Sequence, residues 1–183
     1  FVKKHFPDRE IPRRKKERAK LHKEVDAGLM EDAEFCALAE EFHTKISLAI
    51  ELIEQAIARQ LPFQTVLMDS WFLSPELVDV LTQQHKDWIS LIKHNRKLEV
   101  ASFSVHDEHG QTLKLKGAHI KVDALVDLLP SAAYKAITVG DTTYYFFTKS
   151  LRIPSLGPVR IVISFDNPEL TGTYAVMVTN RKD

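Results

Sequence analysis

Between Thr44 and His94 the chain twice runs an amphipathic stretch into a short apolar one, with few residues to spare between them. In "TKISLAIELIEQAIARQ", Ile46, Ala49, Ile50, Ile53, Ala56 and Ile57 recur at intervals of three and four, which makes one apolar helical stripe. Leu61-Pro62 ends that helix, because proline disfavours helical backbone in the residue before it. Thr65-Val66-Leu67-Met68 is short, apolar and partly β-branched, and predicts a buried strand. Ser74-Pro75-Glu76 reads as a helix start: Ser caps, Pro takes the first helical position, and an acid follows in the first turn. Leu77, Val78 and Leu81 make its inner face, and "DWISLIKH" from Asp87 predicts a second apolar strand. Two strands joined by a helical crossover pair in parallel, so this part of the chain is α/β.

After Asn95 the pattern changes to strands and turns. "QTLKLKG" alternates with period two, and "YKAITVGDTTYYFFTKSL" holds two strands about the hairpin signal Gly140-Asp141. "PVRIVISFD" and "GTYAVMVTN" are two more, separated by the turn-rich "NPELTG", while "VDALVDLLP" is a short amphipathic helix. The expected architecture is an α/β core with a mainly antiparallel β insertion, α+β overall. Its parts are an arm over 1–43, basic then acidic, with a helix in "EDAEFCALAEEF"; a core over 44–98; a β-rich insertion over 99–178; and a return to the core over 179–183.

The 183 residues, 44% hydrophobic and 27% charged, suit an ordinary globular domain. No apolar run reaches the ~18 to 20 residues of a membrane span, and no signal peptide is visible. The single cysteine, Cys36, rules out an internal disulfide and fits a cytoplasmic location. Formal net charge is zero, against the basic surplus of most dedicated nucleic-acid binders. That average hides ten basic residues against four acids in 1–24, followed by the acidic "EVDAGLMEDAEFCALAEE". The start at Phe1 and the end just beyond a strand suggest a piece of a longer protein.

Asp69 stands where the first apolar strand stops. Ligands of open α/β sheets bind outside the carboxyl ends of strands, and a carboxylate there suits a hard cation such as Mg2+. Alternatively, Asp69 caps the following turn with its side-chain oxygen. "HDEHG", residues 106–110, gathers two histidines and two acids, but consecutive residues ending in Gly read more simply as a hairpin turn. The sequence holds neither a Gly-rich phosphate loop nor a Gly-x-Ser-x-Gly elbow.

"TKISLAIELIEQAIARQLPFQTVLMDSWF" resembles the segment around the second catalytic aspartate of bacterial insertion-sequence DDE transposases. "WISLIKHNRKL" resembles that family's next strand, and "YAVMVTNRKD" the strand before its glutamate helix. The resemblance covers residues 44–98 and 159–183. It implies an RNase H-like core in which two aspartates and a glutamate hold two divalent ions, Mg2+ or Mn2+, that cut DNA and transfer strands. On that reading Asp69 is the second aspartate and a metal ligand, and the other two acids lie outside this chain. The partners implied are the DNA of the element ends and the target, and further copies of the protein.

Lys93, Asn95 and Arg96, just past the second strand, either contact phosphate, whose charge Lys and Arg neutralise, or are simply exposed surface. Trp71 and Phe72 either stack on an unpaired base or pack under the next helix. Lys114, Lys116 and Lys121 either line a DNA track or face solvent. Two other readings remain: a non-catalytic DNA-binding or assembly module of the same ancestry, and an unrelated α/β phosphoacceptor domain, against which the antiparallel second half argues.

Overall fold

A computed structural model describes residues 14–29, 31, 36, 43–100, 103–115 and 118–181. They divide into two units, Phe1–Thr44 and Lys45–Asp183. In the first unit, α1 (Lys15–Leu29) is polar along most of its length. Charges three and four apart pair on its surface: Arg14, just before the helix, reaches Glu17 at 3.7 Å, and Lys20 reaches Glu24 at 3.8 Å. The helix expected over 31–42 lies outside the described residues apart from Glu31 and Cys36.

The second unit opens with α2 (Lys45–Ala58), whose Ile46, Ile50 and Ile53 lean on the core. β1 (Thr65–Met68), α3 (Pro75–Gln83) and β2 (Asp87–Leu91) follow in the order expected, with β1 and β2 parallel. Ser74 is the N-cap of α3: its Oγ accepts the Leu77 N–H at 3.3 Å, and Pro75 follows it. Next come β3 (Lys97–Glu99), β4 (Ser104–His106), β5 (Thr112–Lys114), β6 (His119–Lys121) and α4 (Val122–Leu128). A 3-10 turn at Ser131–Ala133 leads to β7 (Lys135–Val139), β8 (Thr142–Ile153), β9 (Gly157–Phe165) and β10 (Tyr174–Thr179).

Eight strands form one sheet in the order β1-β2-β10-β9-β8-β3-β6, with β7 on β8. Among the described residues only β1 and β2 are parallel; the other pairs are antiparallel, so the fold is α+β. β4 and β5 form a separate hairpin. β10 lies between β2 and β9, so strands from both ends of the unit share one sheet. Alternation along the strands sends Trp88, Val176, Val178, Ile161, Ile163 and Phe147 into one core, together with Leu77, Val78 and Leu81 of α3 and Leu125 of α4.

One expectation needs correction. The run Thr65–Met68 is not a buried strand, because Leu67 is 74% exposed. β1 is the edge strand of the sheet, and only the Val66 and Met68 side faces the core. An unbroken apolar run therefore does not distinguish a strand covered on both faces from one covered on a single face. Among the described residues no helix is long and apolar enough to cross a membrane.

Candidate functional site

The carboxyl ends of β1 and β2 lie side by side because the strands are parallel and in register, with Met68 opposite Ser90. Asp69 is the first residue beyond β1 and is exposed. Its carbonyl accepts the Phe72 N–H at 2.9 Å, and its carboxylate accepts the Ser70 hydroxyl at 2.9 Å. The backbone bond closes a tight turn, and that turn sets the next two side chains apart. Phe72 packs against the core, whereas Trp71 is 64% exposed. The cap of α3 then fixes the exit of the turn. There Glu76 is held below the usual carboxylate range, first by its own backbone N–H and then by the Ser74 hydroxyl.

Trp71 has two cationic neighbours. Lys93 Nζ lies 4.1 Å from its ring centroid and Lys45 Nζ 4.9 Å. Each is within the ~6 Å over which an ammonium is attracted to an indole face. Lys93 leaves the end of β2, and Lys45 leaves the first turn of α2. The Trp71–Lys93 meeting follows from two adjacent strand ends and was within reach of the sequence. Lys45 was not: nothing in its spacing ties the start of α2 to the turn after β1.

Beyond Lys93 the chain turns again, with Arg96 N–H donating to Lys93 O at 2.9 Å. This turn is held from behind by the first N–H groups of α4. Val122 N–H donates to Arg96 O and Asp123 N–H to His94 O, both at 3.0 Å. Helix N-termini carry such unpaired donors, and here a loop of the same chain takes them up. With its carbonyls so occupied, the turn displays Lys93, Asn95, Arg96 and Lys97 along a cavity of about 340 Å3, closed opposite by Ile153, Pro154 and Ser155. Arg96 crosses that cavity and donates to Ser155 Oγ at 3.0 Å. Lys97 sits directly opposite Lys121 in the β3–β6 pair.

Nearby acids are engaged elsewhere: Glu99 with Arg152 at 3.4 Å, and Asp123 as acceptor of the Ala124 N–H at 2.8 Å. Among the described residues no carboxylate forms an ion pair with Lys93, Arg96, Lys97 or Lys121. The structure thus brings Asp69, Trp71 and Lys93 together at the carboxyl ends of β1 and β2, and Lys93 links them to Asn95 and Arg96 of the turn that leads to β3. Lys114 is elsewhere, exposed on the β4–β5 hairpin, and Lys116 lies outside the described residues. The "HDEHG" run is the turn of that hairpin. Asp107 Oδ1 accepts the N–H groups of His109 and Gln111 at 2.9 and 2.7 Å, and Gly110 takes φ 73°.

A two-ion centre needs several oxygen ligands converging on one point. Among the described residues no group of three His, Cys, Asp or Glu side chains does so. Asp69 offers one carboxylate and Ser70 a hydroxyl bonded to it, which do not make a two-ion site by themselves. The chain matches no protein-family model and no curated protein.

Proposed function

We propose that this chain is part of the DNA-processing core of a DDE-type transposase, with Asp69 as one carboxylate of its metal centre and the β2–β3 turn as a DNA contact. One observation carries the reading. An exposed carboxylate stands at the carboxyl end of a parallel strand, beside an aromatic ring with two lysines, one of which also lines a cavity with four more polar or basic residues. A phosphodiester needs cationic contacts to hold it, and its cleavage needs carboxylates to place the ions that activate water and stabilise the leaving oxygen. The edge supplies the first requirement in full and one component of the second.

The test is nicking of supercoiled DNA in Mg2+ or Mn2+ by the whole gene product. Asp69→Asn should lower cleavage by at least about 100-fold, since loss of a metal ligand costs no less than loss of its support. Asp69 is exposed, so DNA binding and the circular dichroism spectrum should be unchanged. Full cleavage by Asp69→Asn would refute the reading.

A second reading draws on the missing convergence of carboxylates around Asp69 among the described residues. A DNA-binding module without chemistry would use the same basic edge. The wild-type product would then bind DNA without cutting it, and Asp69→Asn would bind as well as the wild type.

A further inference from the structure

Trp71 is a large apolar surface left in water, and burying such a ring against the core would be the ordinary outcome. Its two lysines do not hide it, and two ammonium groups drawn to one ring repel each other. The same excess continues along the edge. Lys93 serves both the ring and the cavity, Arg96 and Lys97 follow it, and Lys97 faces Lys121 across a strand pair. Like charges directly opposite each other destabilise a sheet. Ring and cations together make a surface whose costs fall when a flat π-system and a polyanion arrive at once.

We propose that this edge binds an unpaired stretch of nucleic acid: one base stacks on Trp71 between Lys45 and Lys93, and the adjoining backbone runs into the Lys93–Lys97 cavity towards Lys121. The inference rests on the DNA reading above and narrows its substrate to a single-stranded or locally opened segment. An aromatic platform beside a cationic groove suits single strands because every unpaired base presents a face, whereas a closed duplex presents only its backbone and grooves. The held turn behind the cavity supports this, since α4 fixes the backbone of residues 94–96 before any ligand binds. A preorganised loop spends less entropy on binding.

The chain carries its own reporter. It has two tryptophans, and Trp88 is only 1% exposed. Oligothymidylate is titrated into the 183-residue chain in EDTA while tryptophan fluorescence is followed, with a blunt duplex of equal length in parallel. The expected result is saturable quenching by the single strand and little by the duplex. Trp71→Phe keeps a smaller ring, so it should bind with an affinity between those of the wild type and Trp71→Ala, without the quenching. Trp71→Ala should bind about 5- to 100-fold more weakly, the usual loss when a stacking partner is removed. Trp71 lies outside the core, so both variants should keep the wild-type circular dichroism spectrum.

Equal binding of duplex and single strand without quenching, or wild-type affinity in Trp71→Ala, would overturn the inference and leave the transposase reading standing. Absence of binding to either DNA would overturn the inference and remove the nucleic-acid role of this edge. Asp69→Asn should bind the single strand at least as tightly as the wild type, which separates this result from a failure of the cleavage test.

Discussion

Trp71 and Phe72 are neighbours in the chain and opposites in the structure: one faces water between two lysines, the other packs against the core. The Asp69 O to Phe72 N–H bond divides them, and a turn of that kind has no apolar period to be read in advance. The other end of the parallel pair is decided by single residues as well. Asn180, just after β10, accepts the Trp88 N–H at 2.9 Å and donates to Lys86 O at 3.2 Å. Thr179 donates to Trp88 O at 2.6 Å. One amide side chain thus stands in for a strand partner at the start of β2. Asn180→Ala leaves a partly buried N–H unpaired and should cost about 1–3 kcal/mol, measured by urea denaturation. A loss of only a few tenths of a kcal/mol would mean that water replaces the amide.

α2 and α3 end in one way. Gln60 and His85 take φ 56° and 53°, and the following N–H groups reach back five residues, Leu61 to Ala56 O at 3.0 Å and Lys86 to Leu81 O at 2.8 Å. These are Schellman ends without glycine. The sequence marks the end of α2 through Pro62 but gives no sign of the left-handed residue, because that sign is normally Gly. Here the returning bonds hold a strained φ on an ordinary side chain. Gln60→Gly should therefore stabilise the fold by about 1 kcal/mol in thermal or urea unfolding. No gain would show that the Gln60 side chain makes up for its strain.

At the start of α3 the sequence was explicit, since Ser, Pro and Glu occupy the positions their chemistry favours. Ser74→Ala should cost about 1 kcal/mol by the same measurement. The β7–β8 hairpin was equally legible. Gly140 takes φ 60° and Asp141 does not share it, the arrangement of a type II′ turn with Gly first. What could not be read was that β10 comes back to pair with β2, a choice made by tertiary contacts far apart in sequence.

Across the whole sheet the two faces are unequal. One is the core. The other shows Leu67, Leu91, Ile137 and Tyr144, with a groove of about 410 Å3 lined by Phe146, Val162, Ala175 and Met177 among others. Period two along β8, β9 and β10 revealed which residues alternate but not that Leu67, Leu91, Ile137 and Tyr144 are exposed.

On the core side, burial pushes the Tyr134 hydroxyl up to about 12, with the Tyr174 field adding to it. Tyr174 is raised as well, through burial and then through Asp127 and Asp123. An unfolded tyrosine ionises near 10, so the folded state retains protons that the unfolded state has already lost. Stability should be fully present below pH ~10 and should fall as pH rises from ~10 to ~12. Tyr134→Phe should flatten that slope without removing it, because Tyr174 still contributes. An unchanged slope would place the alkaline titration elsewhere.

The charge balance of the whole chain is zero, so DNA affinity here must come from local charge rather than the average. The most direct measurement is the salt dependence of DNA binding for the wild type and for Lys93→Gln/Lys97→Gln. On this account log K falls linearly with log salt in the wild type. The double variant binds more weakly, with a slope shallower by about 0.7 to 0.9 for each phosphate that the two lysines no longer neutralise. Binding of equal strength and equal slope in the two proteins would contradict the placement of nucleic acid on the β2–β3 turn and its cavity.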